Sequence, residues 1–333
     1  MRLVPSKLTS LAARDTTQLF ETEIIMTTKG AFTAGIAAGL FATISWGLQL
    51  PLARDAFAIV DLYHLTAIRY VAASTILVCL LVVKEGYSAL KYDKQFFTVS
   101  RLGVVGMCGS PILVFIGMSL SSAEHTVVIV ALQPVITALL VWYVDGIRPA
   151  KFTLACAFLA LLGVILVVTG GTFGNQSTTR YLIGDAIVLL GALCWINYTM
   201  GIGRLKRWSV LKITVLTMIP GCLTTVLITT ILVQTGFLIT PTLSELEQVS
   251  WELFFLTFVG ILISMLAWNF GTRRIGPVNA TILMSCMPVA AYSYRIAQGY
   301  TLLVTEVLGA IFVIIALVAS SLHARRVEVL GAS

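Results

Sequence analysis

The chain has little charge. Only 11% of its 333 residues are Asp, Glu, Lys or Arg, whereas an ordinary soluble domain carries about 25%. Hydrophobic residues make up 58% of the chain, and the mean hydropathy is +0.96. This composition excludes an ordinary soluble domain and is typical of a membrane protein.

Sequence signatures of catalysis and metal binding are also missing. The three histidines are not paired at helical spacing, and no His-Glu-x-x-His or Gly-x-Ser-x-Gly run exists. The six cysteines lie singly inside apolar stretches, which predicts small core residues rather than metal ligands. No secretory signal with a cleavage site precedes the first apolar stretch. We therefore predict that the protein has no cofactor and no bound metal and is not an enzyme.

Apolar stretches occupy most of the chain. The hydrocarbon core of a bilayer is about 30 Å thick, which a helix crosses in roughly 20 apolar residues. We predict an all-α integral membrane protein with ten transmembrane helices and no soluble domain. The helices are predicted at residues 31–50, 62–83, 102–120, 126–144, 152–170, 183–203, 210–234, 251–270, 277–296 and 301–321.

The basic residues predict the orientation, because cytoplasmic loops are enriched in Lys and Arg. Of the 22 Lys and Arg, all but four lie in the two terminal segments or in loops on the same side of the membrane as those segments. The exceptions are Arg54, Arg180 and Arg295 on the opposite side and Arg69 within a span. Both termini are therefore predicted to be cytoplasmic. This placement accounts for the net charge of +7 without a nucleic-acid partner.

The second half of the chain repeats the first. Glycine, tryptophan and proline positions match at similar depths, as in Gly35 with Gly184, Trp46 with Trp195, Gly106 with Gly260, Gly117 with Gly271 and Pro134 with Pro288. An odd number of spans per copy places the second copy upside down in the membrane. We predict two inverted five-helix repeats, an arrangement typical of carriers. The predicted divisions are a disordered cytoplasmic tail (1–29), the repeats (30–170 and 171–322) and a second cytoplasmic tail (323–333).

Short motifs along the chain resemble the EamA-type branch of the drug/metabolite transporter superfamily. They are Ser45-Trp46-Gly47 with Pro51, Arg69-Tyr70, Leu132-Gln133-Pro134-Val135, Gly163-Val164, Gly184-Asp185 with Trp195 and Tyr198, Trp268-Asn269, Met287-Pro288-Val289 and Leu308-Gly309-Ala310. The resemblance covers about residues 30–322 and implies ten spans in two copies. The chain departs from the family where it has Ile147 and Tyr300, because family members often carry Glu just before the fifth and tenth spans.

The polar and aromatic residues inside the spans are candidates for a solute site. An amide without a partner is costly in hydrocarbon, so such residues are expected to face the interior of the bundle. The alternative for the aromatic residues is the belt at the membrane interface. The predicted substrate-binding residues are Trp46, Gln49, Gln133, Trp195, Tyr198, Trp268, Asn269 and Asn279.

Two prolines and two charged residues complete the candidates. Pro134 and Pro288 lie within predicted helices, where they are expected to act as kinks or hinges. Arg69 is expected to extend its long side chain toward the outer surface rather than to bind a carboxylate. Glu306 is a candidate for proton coupling, although its position near the outer end of the tenth span leaves access to water as the alternative.

These features predict a transporter of a small organic metabolite or drug, such as an amino-acid-like molecule. It would act across the plasma membrane by alternating access, as an exporter and as a monomer or homodimer. The family resemblance favours a bacterial inner membrane. The alternatives are an intramembrane enzyme and a membrane sensor or scaffold that does not transport.

Overall fold

A computed structural model describes residues 7–146, 151–169, 176–205, 207–299, 301 and 303–331. Within these ranges the regular structure is entirely helical. The helices are α1 (Lys7–Ala56), α2 (Leu62–Glu85), α3 (Phe96–Leu120), α4 (Ala123–Val130), α5 (Gln133–Asp145), α6 (Lys151–Thr169), α7 (Gln176–Ile202), α8 (Val210–Gln234), α9 (Leu243–Gln248), α10 (Ser250–Ile275), α11 (Pro277–Ile282), α12 (Met287–Ala297) and α13 (Val304–Gly331).

Seven segments in the described part of the chain are long and apolar enough to cross a membrane. They are Gly30–Ala56, Leu62–Glu85, Phe96–Leu120, Ala123–Leu140, Thr179–Ile202, Val210–Gln234 and Ser250–Ile275. Two shorter apolar helical segments are Leu154–Gly163 and Val304–Ala316. The protein is therefore a multi-pass membrane protein. The count of ten spans remains a prediction.

Helix α1 begins earlier than the first predicted span. It extends from Lys7 to Ala56, so residues 7–29 are helical where the sequence predicts a disordered tail. No proline or glycine stands between Pro5 and Gly30, and therefore no residue in that stretch interrupts a helix.

Both predicted kink prolines stand at the start of a new helix. Helix α4 ends at Val130, and Pro134 lies in the first turn of α5. Pro288 likewise lies in the first turn of α12, after a 3₁₀ turn at Leu283–Cys286. Proline is tolerated in a first helical turn, where its missing N–H has no helical partner to lose. Each break allows the two helix segments to take different directions.

Contacts between the two halves are reciprocal. Helix α1 packs along α10 and α3 packs along α7, while α2 packs on α8 and α6 on α13. Thus the first helix of each half contacts the third apolar segment of the other. Reciprocity of this kind is expected of two inverted repeats.

Glycines allow α1 to pack closely against α10, and α3 against α7. A Cβ atom on Gly271 would lie 2.8 Å from the carbonyl oxygen of Gly35, and one on Gly184 would lie 2.6 Å from that of Gly117. In the sequence repeat, Gly35 corresponds to Gly184 and Gly117 corresponds to Gly271. The two contacts are therefore equivalent, one at each crossing. Backbones can approach this closely only where side chains are absent.

Each half also has a π-helical stretch at a matching place. It covers Gly103–Gly109 in α3 and Phe255–Ile263 in α10. Stretches of this kind are uncommon and often occur at functional sites. Each stretch contains one of the matching buried glycines, Gly106 and Gly260.

Candidate substrate cavity

A cavity lies between the two halves. The empty space within it and its open mouth together amounts to about 680 Å³. Its lining comprises Trp46, Gln49, Leu50, Arg69, Tyr70, Ser110, Pro111, Val114, Phe115, Val130, Gln133, Trp195, Gly260, Ile261, Met265, Met284 and Met287. Four of the predicted substrate-binding residues (Trp46, Gln49, Gln133 and Trp195) are therefore in the wall.

Three tryptophans meet at the cavity floor. The ring centroid of Trp46 lies 5.1 Å from that of Trp195 and 5.3 Å from that of Trp268. Trp268 is fully buried behind the other two and is not part of the cavity lining. Such edge and tilted contacts stabilise aromatic clusters, and two of the three rings form an apolar part of the cavity wall.

The two cavity tryptophans differ in their hydrogen bonds. The Trp46 Nε1–H donates to the carbonyl oxygen of Gly260, 2.8 Å away, in the π-helical stretch of α10. Trp195 matches Trp46 in the sequence repeat, but its buried Nε1 has no hydrogen-bond partner among the described residues. The two halves are therefore not equivalent at this point.

The glycines of the π-helical stretches make room for neighbouring side chains. A Cβ on Gly260 would lie 2.4 Å from Gln49 Oε1, and one on Gly106 would lie 2.5 Å from the Tyr198 Cβ. A larger residue at either position would displace these side chains. These glycines therefore help to shape the wall and the layer below it.

Tyr198 and Asn269 form a polar layer next to the tryptophans. The Tyr198 hydroxyl lies 3.2 Å from Asn269 Oδ1, and Asn269 Nδ2 donates to the Thr214 hydroxyl at 2.8 Å. Both predicted site residues are fully buried and are absent from the cavity lining. They bond to each other, as buried polar groups do, and they support the wall from behind.

Asn279 is not brought to the cavity. Its Nδ2 donates to the carbonyl oxygen of Ile275, four residues earlier, at 2.8 Å. The sequence indicates a buried amide here but not which groups it reaches. The side chain satisfies part of its hydrogen-bonding capacity within its own chain segment.

The sequence-based expectation for Arg69 is wrong. The side chain does not extend to the surface: it is 1% exposed and lines the cavity. Its guanidinium carbon lies 4.8 Å from the ring centre of Phe115. The neighbouring helices occupy the route to the surface, and sequence alone does not show on which side of α2 they pack.

Glu306 lies at the first turn of α13. Its Oε2 accepts a hydrogen bond from the backbone N–H of Leu303 at 2.9 Å, and the side chain is 5% exposed. A carboxylate at this position satisfies backbone donors at a helix N-terminus. A part in proton coupling remains a prediction.

A second polar cluster, not predicted from the sequence, lies where α3, α4 and α7 meet. The Ser121 hydroxyl donates to Asp185 Oδ1 at 2.6 Å, and His125 Nδ1 lies 3.3 Å from Asp185 Oδ2. The Ser121 hydroxyl also lies 3.2 Å from His125 Nδ1. Both partners approach the same ring nitrogen, whereas a Ser-His-Asp relay requires one partner on each. The motif Gly184-Asp185 shows the acid, but only folding brings Ser121 to it.

An ion-pair network joins helices of both halves at the same end of the bundle. Arg295 of α12 donates from Nε to Glu124 Oε1 of α4 at 3.0 Å and from Nη1 to Gln298 at 3.1 Å. Gln298 in turn donates to Asp55 Oδ2 of α1 at 3.1 Å. The network ties α1, α4 and α12 together beyond the cavity.

The apolar helices and the cavity between the halves are typical of multi-pass membrane transporters, and comparisons with known proteins show this class. The EamA-like transporter family matches the chain twice, over residues 33–169 and 182–322. The chain belongs to the EamA-like transporter family.

Two curated relatives agree with this assignment. The protein named "Uncharacterized transporter YrdR" from Bacillus subtilis is 27% identical over 302 residues, which cover 90% of this chain and 94% of the relative. "Uncharacterized transporter YyaM" from the same organism is 27% identical over 256 residues, 76% of this chain and 82% of the relative. A solved chain described as "Crystal structure of protein" has a TM-score of 0.67 at 18% identity, covering 89% of this chain and 99% of its own. That structure supports the fold alone.

Proposed function

We propose that this protein is a carrier that moves a small organic solute, such as an amino-acid-like metabolite or a drug, by alternating access. Two inverted five-span copies would rock around the cavity and expose it to one side of the membrane at a time. The two family matches and the reciprocal contacts between the halves support this arrangement. We further propose that both termini are cytoplasmic and that the physiological direction is export.

The observation that carries the proposal is the unequal pair of tryptophans in the cavity wall. Trp46 is bonded to the backbone of α10, while its counterpart Trp195 has no such bond among the described residues. Alternating access requires the two halves to take different conformations and then to exchange them. A hydrogen bond present in one half only is a difference of that kind.

Transport is tested with purified protein in liposomes and a panel of labelled amino acids, organic acids, amines and drugs. Met265 lines the cavity, while Ile263 on the same helix is 47% exposed on the outside of the bundle. We expect Met265→Trp to fill the cavity and abolish flux, and Ile263→Trp to retain it. Flux that survives in Met265→Trp, or no flux from folded wild type with any solute, would contradict the proposal.

Orientation is tested by labelling single cysteines in cells. Lys91 and Glu247 are both exposed, in loops predicted to lie on opposite sides of the membrane. A membrane-impermeant maleimide should label Glu247→Cys in intact cells and Lys91→Cys only after the membrane is opened. The reverse pattern would show that the proposed orientation is wrong.

A further inference from the structure

Arg69 is a buried cation that has no polar partner in the described part of the chain. Its Nε and Nη1 atoms have no hydrogen-bond partner among the described residues. The guanidinium carbon lies 4.8 Å from the ring centre of Phe115 and 5.5 Å from that of Tyr70. Aromatic faces attract a cation but accept no strong hydrogen bond. A buried charge is costly unless an opposite charge or hydrogen-bond acceptors compensate it, so this side chain requires a partner from outside the described chain.

The described carboxylates do not supply that partner. Among the described residues, no acid forms an ion pair with Arg69, and four of the acids at the same end of the bundle contact other groups. Asp61 pairs with His64, Asp185 with His125, Glu124 with Arg295, and Asp55 accepts from Gln298. Within the described part of the chain, the cavity lining contains no acid, and Arg69 is its only ionised residue. The field inside the cavity therefore favours an anion.

The amide side chains of the wall come from the first half of the chain, and its methionines come from the second half. The first half of the chain contributes the amides Gln49 and Gln133, whose oxygens are buried without partners among the described residues. The second half contributes Met265, Met284 and Met287. Thioether side chains are apolar and adapt their shape to what they contact. This combination of polar and apolar groups suits a molecule with one polar end and one apolar end.

The buried arginine of α2 has no counterpart in the second half. Helix α8 packs on α2 as its counterpart, but its sequence contains no arginine and has a single lysine near its start. A cation required for packing of the repeat would be expected in both copies. Its presence in one copy points to the bound solute.

We propose that the solute of this cavity is a small organic anion with an apolar body, whose anionic group binds Arg69 while its body lies against the methionines. This inference rests on the proposed function as a carrier and names the class of its substrate. A carboxylate fits well, because a guanidinium can bind both of its oxygens at once.

Three probes of nearly equal size and different charge test the proposal. They are phenylacetate, 2-phenylethanol and 2-phenylethylammonium, titrated into the purified full chain while tryptophan fluorescence is recorded. Trp46 and Trp195 line the cavity, so occupancy is expected to change their emission. We expect phenylacetate to bind at least about tenfold more tightly than the ammonium compound, because a charge-assisted hydrogen bond contributes at least that factor.

The variant Arg69→Gln should lose about tenfold or more of the phenylacetate affinity and leave the affinity for 2-phenylethanol within about twofold. Arg69→Lys should retain part of the preference, because the charge stays but the two-point geometry is lost. Arg180→Gln is the matched control, since Arg180 is exposed on α7 and its removal should change neither affinity. A purely structural role of Arg69 would lower the affinity for all probes together and overturn the proposal.

Equal or tighter binding of the ammonium compound, or unchanged phenylacetate binding in Arg69→Gln, would also overturn it. So would the absence of binding by phenylacetate and by a wider set of aliphatic and aromatic carboxylates. Flux in liposomes separates the two proposals. Arg69-dependent binding without flux of any solute would refute the carrier function and support the anion site. Flux of neutral or cationic solutes alone would support the carrier function and refute the anion site.

Discussion

Replacing Gly184 with alanine is expected to destabilise the folded protein, because this glycine lies against the backbone of α3. The new Cβ would lie 2.6 Å from the Gly117 carbonyl oxygen and 3.0 Å from the Cβ atoms of Leu120 and Ser121. Carbon atoms in good contact are about 3.5–4.0 Å apart, so α3 and α7 must separate by several tenths of an ångström.

The magnitude follows from two opposed effects. Forcing an extra methyl group into a packed interior costs about 1–3 kcal/mol. Alanine is preferred to glycine within a helix by up to about 1 kcal/mol, which offsets part of that cost. The net loss in the free energy of unfolding should therefore reach about 2 kcal/mol.

Gly30→Ala is the matched control. A Cβ at Gly30, also in a helix, would meet no atom within 4 Å, so this variant should gain the helix preference without a packing cost. The helix preference then cancels in the comparison, and the two variants should differ by about 1–3 kcal/mol. Because 1 kcal/mol corresponds to roughly 2–4 °C in proteins of 150–250 residues, melting in detergent should separate them by several degrees.

Gly39→Ala provides an intermediate case. The Cβ there would lie 2.4 Å from Leu283 Cδ1, the far end of a flexible side chain that can move aside. Its cost should be smaller than that at Gly184. A Gly184→Ala protein that melts at or above the temperature of Gly30→Ala would refute the close helix crossing.

The variant Tyr198→Phe removes the hydroxyl that contacts Asn269 Oδ1 and leaves a buried amide less satisfied. It should lower the free energy of unfolding by about 1–2 kcal/mol, measured by chemical unfolding in detergent, and an unchanged midpoint would contradict the polar layer. The variant Asp185→Asn removes the charge that accepts from the Ser121 hydroxyl and faces His125. We expect a loss of about 1–3 kcal/mol in the same assay, and a more stable Asp185→Asn protein would show that the cluster does not stabilise this end of the bundle.

Some site residues can be predicted from the sequence, because the internal repeat shows which positions of the two halves correspond. That correspondence does not depend on how each helix is rotated. Trp46 and Trp195 match in the two copies, and a two-fold relation brings matching positions together near its axis. Their rings are in contact. Pro134 and Pro288 match in the same way, and each stands where one helix ends and another begins.

Other residues could not be placed from the sequence. Many helices here are apolar on several sides, so hydrophobic periodicity does not show which side faces the interior. From the sequence, the Arg69 side chain could extend to the surface or turn inward. The packing of α2 against α3, α8 and α10 decides its direction. Asp185 and His125 lie far apart in the sequence, and no local pattern connects them.

The sequence by itself determines that this chain lies in a membrane and where its apolar helices run, since hydrocarbon offers no hydrogen bonds and the backbone must form them within each helix. The two copies and their matching glycines, tryptophans and prolines are also present in the sequence. Only the tertiary structure decides that the three cavity methionines of the second half and a buried arginine of the first line the same cavity. The reason is physical: the depth of a residue follows from its number along a helix, but the direction of its side chain depends on how that helix rotates against its neighbours.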